Sequence, residues 1–351
     1  MSEIIEIDGS FGEGGGQILR TSLSLSCLLR RPFRIFNIRK RRKKPGLMPQ
    51  HLTAVRIMQL ISSARVKGDE AGSTELYFEP QEIKSGEIFY DIGTAGSTML
   101  VLQTVLPCLA FSKDKSLVIL KGGTHVPMSP CYHYVEKVFC RFLKKIGINL
   151  NISIEQYGFY PKGGGHIRAD IEPAKEIKPL RILEPGRLMR IEGISGVANL
   201  PLSIAERQKE AFLKHISQLS APAEIKSLSL KSPGQGTFIF IEVIHEDSIA
   251  GFSSLGERGK RAEKVGEEAG EKLLRHLSTS KSLDPNMADQ IVLYLSLTEQ
   301  VSEFSTSEIT GHLITNLWVL KRFLDIEYSI DGKEGDSGTV KIKGKKIAGL
   351  L

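Results

Sequence analysis

A glycine-rich turn early in the chain constrains the fold more than any other stretch. Before it, apolar residues alternate with polar ones around Ile5 and Ile7, as in a strand, and this pattern stops at Asp8-Gly9. After it, Gln17 opens a run with apolar residues at helical spacing. The turn carries four glycines, Gly12, Gly14, Gly15 and Gly16. Such a turn gathers free backbone N–H groups and the positive end of a helix, so it indicates either an anion site or a plain tight turn.

The strand–turn–helix pattern returns further along the chain. A second turn of small residues between Asp91 and Ser97 opens another helix. The two helices of this unit follow those of the first by about 80 residues, which indicates an internal repeat. Two more helices are predicted to begin at Asp284-Pro285 and at Thr310-Gly311. We therefore expect three units of the order βαβαββ.

The third unit is interrupted by a stretch with a different sequence pattern. Beginning at about residue 180, the predicted strands and helices alternate without a glycine turn. The linker STSKSLDPN then precedes the return of the repeat. We predict an α+β fold in which residues 1–181 and 279–351 form one domain of three repeats. Residues 182–278 are predicted to form a smaller inserted αβ domain.

The composition is that of an ordinary globular protein. Of the 351 residues, 41% are hydrophobic and 25% charged, and the net charge is +7 with a pI near 9.1. This charge indicates either a polyanionic partner or only a lysine-rich surface.

The four cysteines and the start of the chain bear on the compartment. Cys27, Cys108, Cys131 and Cys140 form no C-x-x-C pair, so neither a zinc site nor a disulfide framework is indicated. No signal-peptide pattern or membrane-spanning apolar run is present. We expect a soluble intracellular protein without a membrane partner, cytoplasmic in a prokaryote and nuclear as an alternative in a eukaryote.

His312 is the strongest candidate for a catalytic residue. It falls in the first turn of the last predicted helix, off the centre of the apolar stripe of Leu313, Leu317 and Leu320. A helix N-terminus favours the neutral imidazole, which is the nucleophilic form, and attracts phosphate. The alternative is a partly buried histidine that caps the helix. His51, His245 and His276 are typical of solvent or helix-face positions.

A run of six basic residues, RKRRKK at 39–44, is a second candidate feature. It fits a solvated surface, a nuclear address or a phosphate clamp, and the forked guanidinium groups of Arg39 and Arg42 suit phosphate best. The usual phosphate-handling signatures are absent from the sequence. There is no G-x-x-x-x-G-K-[ST], and Glu6 stands where the lysine of K-x-D-G would be.

Six stretches taken together resemble the RNA 3′-terminal phosphate cyclase family in order and spacing. They are GSFGEGGGQILR, KPGLMPQHLTAV, GTAGSTMLVLQTVLP, GFYPKGGG, ADQIVL and GHLITN. The resemblance covers essentially the whole chain. It implies three repeats of a four-stranded sheet backed by two helices, together forming the catalytic domain, plus the inserted domain.

The resemblance also implies a reaction. A histidine attacks the α-phosphorus of ATP and carries AMP on Nε2, the RNA 3′-phosphate takes up the AMP to form RNA-(3′)pp(5′)A, and the 2′-OH displaces it to leave a 2′,3′-cyclic phosphodiester. Covalent catalysis of this kind divides the transfer into easier steps. The implied cofactors are ATP and a divalent metal, Mg²⁺ or Mn²⁺, and the implied partner is an RNA 3′-phosphate end.

The resemblance assigns roles to individual residues. His312 matches the nucleophile and Glu13 a metal-binding and ATP-binding position. The remaining ATP-binding positions are Gln103, Pro130, Met287, Ala288, Asp289 and Gln290. The positions around the phosphates and the RNA end are Arg20, Arg39, Arg42 and Gln50.

Two departures and two alternatives accompany the resemblance. Asn286 stands where many relatives have an aromatic residue that stacks on adenine, and Cys131 where a second proline is common. One alternative is a non-catalytic RNA-binding ribosome-assembly factor on the same fold. The other is an enolpyruvyl-type transferase, against which the basic run argues because it suits a longer polyanion. The physiological RNA, the preferred metal, the oligomeric state and the role of the insert stay open.

Overall fold

The computed structural model of the protein describes residues 3–346. The first βαβαββ unit ends with a short hairpin. Its elements are β1 (Ile5–Asp8), α1 (Gly16–Leu29), β2 (Phe33–Phe36), α2 (Pro49–Ser62), β3 (Arg65–Lys67) and β4 (Leu76–Glu79).

The second unit has the same order of elements, and its second helical segment is continuous through a π-helical turn at Val135–Phe139. Its elements are β5 (Gly86–Asp91), α3 (Thr98–Ala110), β6 (Ser116–Gly122), α4 (Tyr132–Tyr134), α5 (Cys140–Lys145), β7 (Leu150–Gln156) and β8 (Gly165–Ile171). The sequence predicts two strands, near residues 75–78 and 87–90, at the end of the first unit, and the prediction for the second of them is wrong. That strand, β5, pairs with β6 of the second unit, and the unpredicted β3 takes its place in the first.

The third unit opens with β9 (Arg181–Ile182) and is then interrupted. The interrupting elements are β10 (Leu188–Ala198), α6 (Ser203–His215), β11 (Ala223–Ser229), β12 (Gly236–His245), β13 (Ile249–Leu255) and α7 (Ala262–Ser278). The unit resumes with α8 (Pro285–Leu295), β14 (Val301–Thr306), α9 (Gly311–Phe323), β15 (Glu327–Asp331) and β16 (Gly338–Lys343).

Each unit folds into a four-stranded sheet with the same topology. The strand orders are β1-β2-β4-β3, β5-β6-β8-β7 and β9-β14-β16-β15, and in each the first pair is parallel and the others antiparallel. A parallel pair needs a crossover, and in each unit a helix provides it. This confirms the predicted α+β class and the three repeats. The insert forms a sheet of its own, ordered β11-β10-β12-β13.

Two hydrophobic cores lie beneath these sheets. The larger one runs through the three units, where α1 packs against α3 and α9. A smaller one, built around Phe212, Ile241 and Leu273, lies within the insert. The exact division at 182–278 stays a prediction. The packing of α1 on α9 brings the first turn of the chain to its last described helix.

Candidate active site

The start of α9 is held by a capping threonine. The Thr310 hydroxyl accepts the backbone N–H of Leu313 at 3.0 Å and donates to the carboxyl group of Asp289 on α8. His312 is therefore not the capping residue, and that alternative is wrong. Its side chain is 45% exposed, while Leu313 and Leu317 are buried. The ring lies at the surface of the first turn, as the helical spacing predicts.

Glu13, from the glycine turn, lies against the His312 ring. Its Oε2 atom is 3.0 Å from Nδ1, although the two atoms are not aligned as a hydrogen bond. Because Nδ1 faces Glu13, Nε2 lies on the other side of the ring, where no described residue forms a hydrogen bond with it. The structure thus brings two predicted residues from opposite ends of the chain into contact.

The glycine turn can approach α9 this closely because it lacks side chains. Gly12 has a φ of +53°, in the left-handed region, and a Cβ there would collide with Oγ1 of Thr315, one turn after His312. A Cβ at Gly311 would lie 3.0 Å from Glu13. Larger residues at either position would separate Glu13 from His312.

Three guanidinium groups surround the same turn. Arg20 is bound through Nη2 only to Oε1 of Gln17, at 2.7 Å, and burial lowers its pKa to about 10. Nη2 of Arg42 donates to the backbone oxygen of Glu13 at 2.9 Å, and Nη1 of Arg39 donates to the backbone oxygen of Lys44 at 2.6 Å. Among residues 3–346, no carboxylate forms an ion pair with any of the three. Arg20 and Arg39 are half-buried and Arg42 is exposed, so three positive charges lie together without a carboxylate partner and favour an anion beside them.

The start of α1 adds backbone donors to this group. Ser97 and Asp284 cap the equivalent helices α3 and α8 with their side chains, whereas α1 has Gly15 at this position and no side-chain cap. A Cβ at Gly15 would lie 3.5 Å from Nη2 of Arg42. The first N–H groups of α1 therefore have no side-chain cap, and they lie beside the guanidinium groups as further hydrogen-bond donors.

The charges around His312 determine its protonation. Burial lowers the pKa of His312, the Glu13 carboxylate raises it, and Arg20 and Arg42 lower it, with a net shift below the usual value. The imidazole is therefore neutral near pH 7. In that form one ring nitrogen has a lone pair available for attack on an electrophile.

The residues that the resemblance assigns to ATP lie mainly on α8 and α3. Nε2 of Gln103 donates to Oε1 of Gln290 at 2.5 Å and so links the two helices. The side chains of Met287 and Ala288 are fully buried, and burial raises the pKa of Asp289 well above its usual value. These three side chains therefore shape the protein beneath the site.

Pro130 and Gln50 are the least connected of the predicted site residues. Pro130 lies half-exposed in the loop before α4, and Gln50 is the half-buried second residue of α2. Within the described residues, no hydrogen bond joins either side chain to the groups around His312.

Asn316, which sequence reasoning missed, connects three helices beneath His312. Its Nδ2 donates to the backbone oxygen of Asp289 at 2.7 Å, and its Oδ1 accepts from Thr21 at 2.9 Å and from Gln17 at 3.3 Å. The signal was present in the sequence, because a polar amide on the buried face of an apolar helix requires partners. Its position four residues after His312 marks it as a support for that turn.

One of the three histidines predicted at solvent or helix-face positions lies elsewhere. His245 is buried at the end of β12, so the prediction is wrong for it, whereas His276 lies on a buried face of α7. His51 is half-buried beside the glycine turn, where its Nδ1 accepts the backbone N–H of Met48 at 3.0 Å. His245 and His276 lie against each other within the insert, with ring centroids 6.5 Å apart, so the packing of α7 on β12 buries them and neither local sequence signals it.

The described part of the chain has neither a metal-binding cluster nor a membrane-spanning helix. Residues 3–346 contain no cluster of three or more histidine, cysteine, aspartate or glutamate side chains arranged to hold a metal ion. Every helix in that range is too short or too polar to cross a membrane.

Comparison with known proteins identifies the family. Residues 11–330 match the model of the RNA 3′-terminal phosphate cyclase family. A protein of that name from Pyrobaculum aerophilum is 44% identical over 97% of this chain and 98% of its own length. A protein of the same name from Sulfolobus acidocaldarius is 48% identical over 94% of this chain and 97% of its own length. The chain belongs to the RNA 3′-terminal phosphate cyclase family, and the predicted class of enzyme is confirmed.

A solved structure is also similar, at a lower level. The enolpyruvyl transferase NikO from Streptomyces tendae is 9% identical to this chain, and the TM-score is 0.42. The aligned region includes 99% of this chain and 49% of the NikO chain. A score this low supports no statement about function.

Proposed function

We propose that this protein converts the 3′-terminal phosphate of an RNA into a 2′,3′-cyclic phosphodiester, with ATP as co-substrate and His312 as nucleophile. One observation carries the proposal: Nδ1 of a neutral, half-exposed imidazole lies 3.0 Å from Glu13 of the glycine turn. The guanidinium groups of Arg20, Arg39 and Arg42 beside that turn support it, because they provide a place for phosphates.

The first step joins AMP to the protein. Nε2 of His312 attacks the α-phosphorus of ATP, the bond from that phosphorus to the bridging oxygen breaks, and pyrophosphate leaves. The guanidinium groups and the uncapped start of α1 stabilise the negative charge that grows on the leaving group. Glu13, beside Nδ1, favours the tautomer with its proton on Nδ1 and stabilises the positive charge that develops on the ring.

The next steps transfer AMP to the RNA and remove it again. An oxygen of the RNA 3′-phosphate attacks the phosphorus on His312, the P–N bond breaks, and RNA-(3′)pp(5′)A forms. The neighbouring 2′-OH then attacks the 3′-phosphorus, loses its proton and releases AMP. Because the 2′-OH is vicinal to the activated phosphorus, this last step needs little beyond positioning. DNA lacks this hydroxyl and would stop at the adenylylated stage.

The remaining predicted residues take supporting roles in this proposal. Gln103 and Gln290, whose side chains are joined at 2.5 Å, contact the nucleotide from one side, and Pro130 contacts the adenine from its loop. Met287, Ala288 and Asp289 support the nucleotide site from below, and Gln50 contacts the RNA end. An intracellular location is part of the same proposal.

A divalent metal fits one carboxylate of the site. Mg²⁺ commonly binds one or two carboxylates together with substrate phosphates and several waters. Glu13 has this character, because its side chain is 35% exposed and lies beside the proposed phosphate site. Mg²⁺ or Mn²⁺ held there would offset triphosphate charge.

Labelling with ATP tests the proposal. The purified protein, incubated with ATP labelled at the α-phosphorus and with Mg²⁺ or Mn²⁺, should acquire label that is acid-labile and alkali-stable, as expected of a P–N bond. His312→Ala should abolish the label, whereas His166→Ala, on β8 outside the site, should retain it.

A second assay follows the RNA. An RNA with a 3′-phosphate should become resistant to phosphatase only when ATP is present. RNA binding without any labelled protein would favour the assembly-factor alternative, and unchanged labelling of His312→Ala would exclude His312 as the nucleophile.

A further inference from the structure

The tautomer of His51 follows from its hydrogen bond. His51 is the third residue of α2, and its Nδ1 accepts the backbone N–H of Met48 at 3.0 Å. A nitrogen that accepts an N–H carries no proton, so in the neutral ring the proton is on Nε2. Nε2 is therefore a donor, and no acceptor among the described residues binds it.

This donor lies at the start of α1. A Cβ at Gly16, the first residue of α1, would collide with Nε2 of His51 and would lie 3.0 Å from Nη1 of Arg20. The imidazole N–H, one guanidinium group and the uncapped helix start thus converge at one point. All of them are donors, and together they present no acceptor to one another.

The surroundings of His51 keep its ring neutral. Burial, with smaller contributions from the positive charges of Arg20 and Arg39, lowers the pKa of His51 to about 4. At pH 7 the residue donates one hydrogen bond without adding a positive charge to the group.

We propose that His51 is a further phosphate-binding residue, whose Nε2–H donates to a phosphate oxygen held at the start of α1. The inference rests on the proposed function and adds to it a residue that the family resemblance did not assign. The phosphate belongs either to the triphosphate of ATP or to the RNA 3′ end, and the two sources present the same oxygens. A neutral donor can bind a phosphate oxygen without strengthening the site so much that the product is retained.

Three variants separate the donor from the structural hydrogen bond. In His51→Glu and His51→Gln the new side chain can still accept the Met48 N–H, because Glu and Gln at the third helical position form the same reciprocal cap. Only His51→Gln keeps a donor. His51→Ala loses both the cap and the donor. The unfolding temperature should therefore fall only in His51→Ala, whereas the carboxylate of His51→Glu, beside Arg20 and Arg39, should keep or raise it.

Binding of three probes measures the effect. The probes are ATP, an RNA with a 3′-phosphate and the same RNA with a 3′-OH. For the phosphate that His51 contacts, the Kd should rise about 10- to 100-fold in His51→Ala, the range for a hydrogen bond to a charged group, and less in His51→Gln. It should rise more in His51→Glu, whose carboxylate also repels the phosphate. The Kd of the 3′-OH RNA should change little.

The pattern of results distinguishes every outcome. A rise confined to ATP, or one confined to the 3′-phosphate RNA, supports the inference and identifies the phosphate. Wild-type binding by His51→Glu, or losses that follow the unfolding temperature, would overturn it. Because binding needs no adenylylation, failure of His312 to acquire label would contradict the proposed function without deciding the role of His51.

Discussion

Phe11 of the glycine turn stacks on Trp318 of α9, with ring centroids 4.1 Å apart and planes inclined by 9°. The guanidinium group of Arg322 lies on the same indole, 5.0 Å from its centroid. This stack lies nearly two turns along α9 from His312 and holds the turn that carries Glu13 against the helix that carries His312. The two rings therefore fix the distance on which the proposed reaction depends.

Phe11→Ala should loosen the glycine turn. We expect the free energy of unfolding to fall by about 2 kcal/mol, from lost burial and lost stacking, and labelling by ATP to slow about tenfold. Trp318 is the only tryptophan of the chain, so its emission reports the loss of the stack directly. Phe89→Ala, at a phenylalanine that is 59% exposed, is the matched control and should leave both quantities unchanged. Normal labelling in Phe11→Ala would show that the turn docks without the stack.

The pKa of His312 should respond to its charged neighbours. In the free protein, NMR titration should place it below 6.5, so that the neutral ring persists to a lower pH than in a free imidazole. Arg42→Gln removes a positive charge and should raise this pKa, whereas Glu13→Gln removes a negative charge and should lower it. The rate of labelling should decline on the acid side of the same pKa.

Lys43→Gln controls for the general charge of the basic run. Lys43 is exposed in the same run as Arg42 but is not among the groups that shift the pKa of His312. An equal shift in Lys43→Gln and Arg42→Gln would contradict a specific effect of Arg42.

Comparing Gly12→Ala with Gly72→Ala should distinguish the effect of a steric clash with α9 from the effect of backbone strain. Both Gly12 and Gly72 have positive φ, +53° and +82°, so an alanine at either costs about 1 kcal/mol of strain. Only at Gly12 would the new Cβ meet another residue, Thr315, while at Gly72 it meets nothing within 4 Å. Labelling by ATP should therefore fall in Gly12→Ala and persist in Gly72→Ala. Equal activity in the two variants would refute the role of close packing.

Asn316→Ala should destabilise the support beneath His312. The variant leaves the backbone oxygen of Asp289 and the hydroxyl of Thr21 without their partners, so we expect a loss of about 2–3 kcal/mol in denaturant unfolding. Asn151→Ala, on the exposed side of β7, should change stability by less than about 0.5 kcal/mol. A similar small change in Asn316→Ala would mean that water replaces the lost partners.

Much of the fold was predictable because its signals are local. The two glycine or small-residue turns, helical spacing and the caps Asp284 and Thr310 are all properties of short stretches, and the structure confirms the elements that they predict. The assignment of β5 to the first unit failed because the sequence pattern of a strand does not determine which other strand it pairs with. The pairing of β5 with β6 depends on a helix crossing between them.

The candidate site was predictable in its members but not in its arrangement. The chain sequence by itself determined the glycine-rich start of α1, the position of His312 in the first turn of α9 and the basic run, because each depends on residues within a few positions of one another. The neutral state of His312 depends on burial and on Glu13, Arg20 and Arg42, and so on the tertiary structure. Only the tertiary structure decided that Glu13 touches His312, that Arg42 folds onto the turn, and that His51 and Asn316 serve the same place. These contacts join residues far apart in the chain. They arise because burial of the apolar faces of α1, α3 and α9 against one another brings their polar ends together, and no local pattern encodes that packing.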